Sequence, residues 1–325
     1  MTDRPPDDPG SAGAPDADSD TDQRRFHVDG DLVPESEATV SVLDRGFAYG
    51  DAAAETIRVY GGVPFRWAAH AGRLERSCDR LGIDDAPAAS ELRRRVGATV
   101  TANGFEEARV RVSVTRGTDE GGVAPTRTST PTVVVVAAPL PRGGAAGTTP
   151  WDDPAALATV RTRWPADRAL PADARTHSAV PRVLAARERR AAGTDEAVVL
   201  DADGAVVGGV DATLFFVDDD ALHTPGRDGP VWPGVARSLV LELAREEGLP
   251  VEEGRYRPAD LRDASEVFLA DPIAEVRPVS TVDGIEVPGG PIAALLGRLY
   301  DERVDRACYG SRNANGDRNE DESGS

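Results

Sequence analysis

The chain has 325 residues, a formal net charge of −19, and 37 basic residues that are all arginine, since the sequence contains no lysine. That length suits a two-domain protein with a large buried core. The acidic balance argues against nucleic acid as a partner, and no apolar run reaches the roughly 20 residues of a membrane span. We therefore expect a folded, cytoplasmic protein suited to high salt, which screens the self-repulsion of so much negative charge.

Both ends of the chain are rich in small and polar residues and poor in apolar ones. Residues 1–24 and 307–325 are therefore predicted to be disordered acidic tails, because they cannot bury enough apolar surface to become ordered. The acidic, Pro-rich N-terminus also lacks the pattern of a signal peptide. The two cysteines, Cys78 and Cys308, are far apart without metal-ligand spacing, and we interpret them as reduced thiols.

Between the tails, the apolar patterns predict two α/β domains, at residues 25–138 and 151–306, joined by a Pro- and Gly-containing linker at 139–150. In the first domain they predict a hairpin at 26–33, helices at 70–81 and 92–103, and strands at 109–115 and 132–138. In the second domain they predict strands at 157–163, 214–217, 266–269, 276–279 and 284–287, a hairpin at 197–207, and helices at 178–192, 237–247 and 292–304. The segment 225–233 is predicted to be a loop.

A block of motifs follows the first hairpin, and it consists of Asp44-Arg45-Gly46-Phe47, Tyr49-Gly50-Asp51 and Glu55-Thr56. This block resembles the N-terminal signature of the class IV aminotransferases, which include aminodeoxychorismate lyases and branched-chain aminotransferases, here in particular those of haloarchaea. The resemblance extends over residues 25–304. It implies the two-domain α/β (α+β) architecture of pyridoxal-phosphate fold type IV, as in D-amino acid aminotransferase, with pyridoxal 5'-phosphate as cofactor.

The resemblance also implies roles for individual side chains. Arg73, on the helix predicted at 70–81, matches the arginine that holds the cofactor phosphate, a task that suits the donor fork of a guanidinium. The start of the helix predicted at 237–247 would bind the same phosphate through its backbone amides. The remaining implied site residues are Val235, Ala236 and Asp271 near the phosphate, and Tyr49, Arg58 and Arg116 for the substrate. From the residues alone, Arg73 could equally be an exposed helix arginine, and Val235-Ala236 an ordinary helix start.

Several positions depart from the family pattern, most of them in residues 173–217. Arg175 stands at the position of the family's lysine, and Ser178 stands at the asparagine that follows it. Gly208 replaces the glutamate that faces the pyridine nitrogen. The other departures are Ala212-Thr213 for Ser-Asn, Ala236 for the phosphate threonine, and Ala54 for an aromatic residue that helps to line the substrate pocket, which would make the pocket wider.

These departures predict impaired cofactor chemistry. An arginine offers no free amine, and the chain has no lysine that could replace it. Gly208 cannot keep the pyridine nitrogen protonated, and Asp211, three residues further along the predicted strand, is expected to face away. The charge of Asp271 would repel a phosphate by about 1 kcal/mol at 4 Å in water. We therefore expect that pyridoxal phosphate is not held covalently.

Three readings of the function remain open at this point. The first is a degenerate family member, a pseudoenzyme that serves as a scaffold for an active homologue or binds an anionic small metabolite. The alternative is an active aminodeoxychorismate lyase or amino acid aminotransferase that uses non-covalently held pyridoxal phosphate. The third is a different reaction with His177 as acid or base, although His177 could simply be a polar loop residue. The resemblance and the apolar strand at 133–137 predict a homodimer.

Overall fold

The computed structural model describes residues 24–126, 130–142, 153–219 and 221–310. Most of the predicted N-terminal tail (1–23), the C-terminal residues 311–325 and the linker residues 143–150 lie outside the described residues. The strands of one sheet fall between residues 25 and 139 and those of a second between 155 and 286, which gives the expected two-domain α/β architecture.

The first sheet is antiparallel throughout, with strand order β2-β1-β6-β5-β3-β4. Its strands are β1 (Arg25–Val28), β2 (Asp31–Pro34), β3 (Ala52–Tyr60), β4 (Val63–Pro64), β5 (Ala108–Thr115) and β6 (Val133–Pro139). Its helices are α1 (Arg45–Tyr49), α2 (Trp67–Leu81) and α3 (Ala89–Ala102), with a short 3-10 turn at Glu35–Glu37. Alternate valines of β5 and β6 point toward α2 and α3, and together they form the first core.

The second sheet is mixed, with strand order β12-β11-β10-β13-β14-β7-β8-β9 and β15 paired with β14. Its strands are β7 (Ala155–Arg163), β8 (Glu196–Leu200), β9 (Val206–Gly208), β10 (Thr213–Asp218), β11 (Ala221–Pro225), β12 (Val251–Gly254), β13 (Glu266–Asp271), β14 (Glu275–Val282) and β15 (Ile285–Glu286). Its helices are α4 (Val180–Ala192), α5 (Val235–Glu246), α6 (Pro258–Asp263) and α7 (Pro291–Val304). Helices cover both faces, so the central strands are almost wholly apolar.

The two domains share one core cluster. Tyr60 and Phe65 of the first domain pack with α5 and α7 of the second, and their rings meet edge to face with centroids 5.7 Å apart. The hydroxyl of Tyr60 also donates to Glu275 Oε1 at 2.5 Å. These contacts fix the orientation of the first sheet relative to the second.

The chain is helical beyond residue 306, where the sequence analysis places the start of the C-terminal tail. A π-helical turn at Asp305–Tyr309 extends α7, and it buries Cys308. The Tyr309 ring packs against Gly61, whose positive φ of 55° and missing side chain leave room for it, and the Tyr309 hydroxyl donates to Glu107. The described part of the chain contains no helix that is both long and apolar enough to cross a bilayer.

Candidate functional site

A cavity lies beside the starts of α4 and α5. Its walls come from the second domain, apart from Arg73 on α2 of the first. The cavity brings together most of the positions that the sequence singles out, namely Arg73, Arg175, Gly208, Val235, Ala236 and Asp271. Most of the candidate cofactor-binding positions of the sequence analysis therefore lie in one place.

The segment that carries Arg175 lies along β3. The Ala54 amide donates to the Arg175 carbonyl at 2.9 Å, and the His177 amide donates to the Ala52 carbonyl at 3.0 Å. The Arg175 amide donates to Ser77 Oγ at 3.0 Å. Ala54 is buried in this contact and is not among the residues that line the cavity, so the wider pocket that the resemblance implies at this position stays a prediction.

The head group of Arg175 lies in the cavity without an ion-pair partner among the described residues. Its Cζ lies 5.5 Å from the ring centroid of Trp232, and its Nη2 lies 3.5 Å from Thr56 Oγ1. No carboxylate of the described residues lies within ion-pairing distance of it. Burial, and then the nearby charge of Arg182, lower the pKa of Arg175 to about 9. The side chain is thus a charged guanidinium at neutral pH.

Arg73 is already engaged by a buried carboxylate. Its Nε donates to Glu55 Oε1 at 2.7 Å, its Nη2 donates to Glu55 Oε2 at 2.6 Å, and its Nη1 donates to the Pro233 carbonyl at 3.0 Å. His70 Nδ1 also lies 2.9 Å from Glu55 Oε2. Burial alone would raise the pKa of Glu55, but Arg73 and His70 outweigh it and lower that pKa to about 2.

The chain turns directly after Gly208, the last residue of β9. Gly208 has a φ of 146°, and the Gly209 amide donates to the Ala212 carbonyl at 2.8 Å, which closes a turn after β9. Because the chain turns here, Asp211 lines the cavity instead of facing away from it, and its carboxylate pairs with Arg182. The expectation for Asp211 was therefore wrong.

Glu196 is a site-supporting residue that the sequence reasoning missed. This buried carboxylate accepts hydrogen bonds from the amides of Ala197 at 2.7 Å and Val210 at 3.1 Å, so it fixes the turn after β9. A side chain at Gly209 would collide with it. Burial raises the pKa of Glu196. Its only signal in the sequence is an acidic residue at the head of an apolar strand.

The opposite wall is formed by the start of α5 and the end of β13. Gly234 precedes α5 without a side-chain cap, and Val235 and Ala236 line the cavity. Asp271 Oδ1 accepts hydrogen bonds from the amides of Ile273 at 2.6 Å and Ala274 at 2.9 Å. Burial raises the pKa of Asp271 to about 6, so it carries negative charge beside the cavity at neutral pH.

The three predicted substrate residues do not line this cavity. Tyr49 is 47% exposed and lies under the guanidinium of Arg45. Arg58 is buried, with its Nη2 3.8 Å from Glu107 Oε2, and Arg116 is bound to Asp51. In this chain their roles in substrate binding stay a prediction.

His177 also lies outside the cavity lining. Its Nε2 lies 3.0 Å from Ser113 Oγ. Burial, followed by the charge of Arg111, lowers the pKa of His177 to about 4. The imidazole is therefore neutral over the physiological range and is already engaged with a hydroxyl. This arrangement gives no support to its use as an acid or base.

Two cavity residues, Trp164 and Trp232, were not singled out from the sequence. Each precedes a proline in a loop, so the sequence gives no sign that either one lines a cavity. The Trp164 Nε1 atom is buried and has no acceptor within the part of the chain that the structure describes. The Trp232 ring lies 5.2 Å from Arg73 Cζ.

The cavity does not fit a covalently held pyridoxal phosphate. No amine is present at Arg175, and no carboxylate side chain extends from Gly208. At the phosphate end, Ala236 supplies a methyl group instead of a hydroxyl, and Asp271 places a carboxylate nearby. The donors of Arg73 are largely directed at Glu55 and Pro233. Among the described residues, no group of three His, Cys, Asp or Glu side chains could hold a metal ion.

Comparison with known proteins shows to which family the chain belongs. The family model for amino-transferase class IV matches residues 52–282. A putative branched-chain-amino-acid aminotransferase of Methanocaldococcus jannaschii is 33% identical over 281 residues, which is 86% of this chain and 96% of that protein. The aminodeoxychorismate lyase of Bacillus subtilis is 26% identical over 283 residues, covering 86% and 94%.

A solved structure matches at the level of the fold as well. The branched-chain aminotransferase of Thermoproteus uzoniensis with norvaline superposes with a TM-score of 0.79 at 30% identity, covering 88% of this chain and 95% of that one. Members of the family bind pyridoxal phosphate, and one matching structure holds N-(5'-phosphopyridoxyl)-L-glutamate. This chain belongs to the class IV aminotransferase family and has its pyridoxal-phosphate type IV fold.

Proposed function

We propose that this chain is a degenerate member of its family, whose cavity binds an anionic metabolite reversibly and catalyses no amine transfer. The observation that carries the proposal is Arg175. It replaces the amine that the family's chemistry needs, and it places a guanidinium without a carboxylate partner in the cavity.

The charges around the cavity support an anionic ligand. Arg73 and Arg182 also line it, and each of them is paired with an acidic side chain. Arg175 lacks such a partner among the described residues, and its lowered pKa reflects burial and neighbouring like charge. A bound carboxylate or phosphate would supply the missing countercharge through a charge-assisted, bidentate contact.

The loss of amine transfer rests on several groups that act on one molecule. The amine, the pyridine carboxylate and the phosphate hydroxyl are all absent at Arg175, Gly208 and Ala236. Where catalytic groups act together, losing one of them already removes most of the activity, so losing several leaves little of it. The alternative, an enzyme with non-covalently held pyridoxal phosphate, draws on Arg73 and the uncapped start of α5.

Calorimetric titration with inorganic phosphate and with benzoate tests the anion site. We expect at least one of these anions to bind, and Arg175→Gln to weaken its binding about 10- to 100-fold, since a hydrogen bond to a charged group contributes about 1.5–3 kcal/mol. Arg93→Gln removes the same charge from the exposed surface of α3 and serves as the control. Equal binding by wild type and Arg175→Gln, or no binding by either, would refute the proposal.

We also propose that the chain forms a homodimer in a salt-rich cytoplasm. Apolar side chains are exposed before and within α1, where Val42 is 75% and Phe47 71% exposed, and at the start of α4, where Val180 is 67% exposed. The two segments adjoin, because Ser178 Oγ lies 3.5 Å from the Gly50 carbonyl. Exposed apolar side chains on neighbouring segments are of the kind that marks protein contacts.

Light scattering in high salt tests this association. A homodimer mass that Phe47→Glu reduces to the monomer mass supports a second copy as the occupant of the surface. A monomer at micromolar concentration excludes the homodimer and leaves an active homologue as the partner to test.

A further inference from the structure

Two tryptophans, Trp164 and Trp232, line the cavity, and an anion-binding role does not explain their presence. The Nε1–H of Trp164 is the clearest case, because the atom is buried and has no acceptor in the described residues. An indole N–H can only donate, and a buried donor without an acceptor is unfavourable. Since Trp164 itself lines the cavity, we infer that an acceptor atom of a bound ligand would satisfy this donor.

Trp232 lies beside two guanidinium groups and is held in position by tight backbone turns. Its ring centroid lies 5.2 Å from Arg73 Cζ and 5.5 Å from Arg175 Cζ, within the range of cation–π contact. The Val231 amide donates to the Gly229 carbonyl at 2.8 Å, and the Gly234 amide donates to the Trp232 carbonyl at 2.9 Å. The indole is thus a fixed aromatic surface directly beside the guanidinium of Arg175.

We propose that Trp164 and Trp232 form an aromatic subsite that selects a flat, conjugated ring acid. The carboxylate binds Arg175, the ring packs against the indole of Trp232, and an acceptor on the ring receives the Trp164 Nε1–H. This inference rests on the proposed anion site and adds to it the shape of the ligand and two residues that determine specificity.

The rest of the lining fits a ring better than a flexible polar chain. Leu170, Val207 and Val210 supply apolar surface, and Val207 and Val210 are themselves buried. Cavities of this kind combine apolar walls with a few polar groups that fix the orientation of the ligand. The polar groups that we assign to the ligand are the Arg175 guanidinium and the Trp164 indole donor, because Arg73 and Arg182 are already paired with Glu55 and Asp211.

The test compares two carboxylates of equal charge and similar size by calorimetry at one ionic strength. Benzoate is flat, whereas cyclohexanecarboxylate is puckered. We expect benzoate to bind about 2- to 10-fold more tightly, the range expected for aromatic contacts. Equal or weaker binding of benzoate would overturn the aromatic subsite while leaving the anion site intact. Binding of neither carboxylate, nor of phosphate, would instead refute the anion site itself.

Two variants then assign the selectivity. Trp232→Leu should abolish the preference for benzoate over cyclohexanecarboxylate, and Trp67→Phe, in the core of the first domain, should preserve it.

Among picolinate, nicotinate and isonicotinate, whose ring nitrogens are acceptors at different positions, at least one should bind more tightly than benzoate. Trp164→Phe should remove that gain without changing benzoate affinity. Since the wild-type comparisons need no substitution, misfolding of a variant leaves the subsite testable, and a gain that persists in Trp164→Phe would overturn the role of the indole donor.

Discussion

Arg73 and Glu55 form a buried, two-bond ion pair, with Nη2 to Oε2 at 2.6 Å and Nε to Oε1 at 2.7 Å. The pair joins α2 to β3, and both side chains are almost fully shielded from solvent. The guanidinium that the resemblance assigns to the cofactor phosphate is therefore neutralised within the protein. Its remaining Nη1 faces the loop that carries Trp232.

Removing one partner of this pair should destabilise the fold. Glu55→Gln leaves the charge of Arg73 buried without compensation, and we expect the free energy of unfolding to fall by about 3–5 kcal/mol. Denaturant unfolding measures the change. Glu91→Gln breaks ion pairs with Arg94 and Arg95 at the surface of α3 and should have little effect. Similar losses in the two variants would show that burial of the Glu55–Arg73 pair is unimportant.

The same carboxylate should make stability depend on acid pH. The pKa of Glu55 is about 2 in the folded protein, below its ordinary value of 4.5. A lowered folded-state pKa gives stability that is present above pH 4.5 and is lost as the pH falls toward 2. The difference in unfolding free energy between wild type and Glu55→Gln should therefore narrow as the pH falls through this range. A constant difference would contradict the assigned pKa.

Restoring the amine alone should not restore amine transfer. Arg175→Lys returns the nucleophile but leaves Gly208 without a carboxylate and Ala236 without a hydroxyl. We expect at most a weak covalent link to pyridoxal phosphate and little turnover, measured as pyruvate release from aminodeoxychorismate and amine transfer from glutamate. The triple change with Gly208→Glu and Ala236→Thr should exceed each single change, because the three groups act on one molecule. Full activity of Arg175→Lys would contradict this expectation.

One of those changes, Gly208→Glu, should itself destabilise the fold. Gly208 has a φ of 146°, a conformation that side-chain-bearing residues rarely adopt, and a Cβ there would lie 3.3 Å from the Ala212 carbonyl. Gly208→Glu should therefore lower the free energy of unfolding by about 1–3 kcal/mol. Gly208→Ala should show most of the same loss, because the strain lies in the backbone. A neutral Gly208→Ala would mean that the turn after β9 relaxes freely.

Anion binding should strengthen as the pH falls through about 6. Asp271 has a pKa of about 6, so lowering the pH removes its negative charge from the cavity wall. We expect benzoate affinity to rise roughly 3- to 10-fold between pH 7.5 and 5.5, a range in which His177, with a pKa of about 4, stays neutral. Asp271→Asn should bind tightly at both pH values. A pH dependence that survives in Asp271→Asn would assign the effect to another group.

Much of the fold follows from local pattern, because long apolar periodicity determines helices such as α2 and strands such as β6. The polar strand β12 and the short helix α6 have no such pattern, and the sequence reading missed both. β12 is held by its parallel pairing with β11, and α6 by the burial of Leu261. The predicted loop at 225–233 was largely correct, although β11 precedes it and ends at Pro225.

The candidate site was predictable where a motif identified it, as at Arg73, Arg175 and Ala236. It was not predictable where tertiary contact decides the outcome. Asp211 faces the cavity because a glycine turn ends β9, and a strand-period argument cannot anticipate that turn. Trp164 and Trp232 line the same cavity as Arg175 only because separate loops converge in space.

The most direct test of the central claim is the absorbance spectrum of the protein with one equivalent of pyridoxal phosphate, before and after borohydride. The absence of any lysine, with Arg175 in the cavity, predicts a spectrum equal to that of protein plus free aldehyde, with no violet-edge band. A violet-edge band that borohydride abolishes, accompanied by robust turnover of the unaltered protein, would contradict the account.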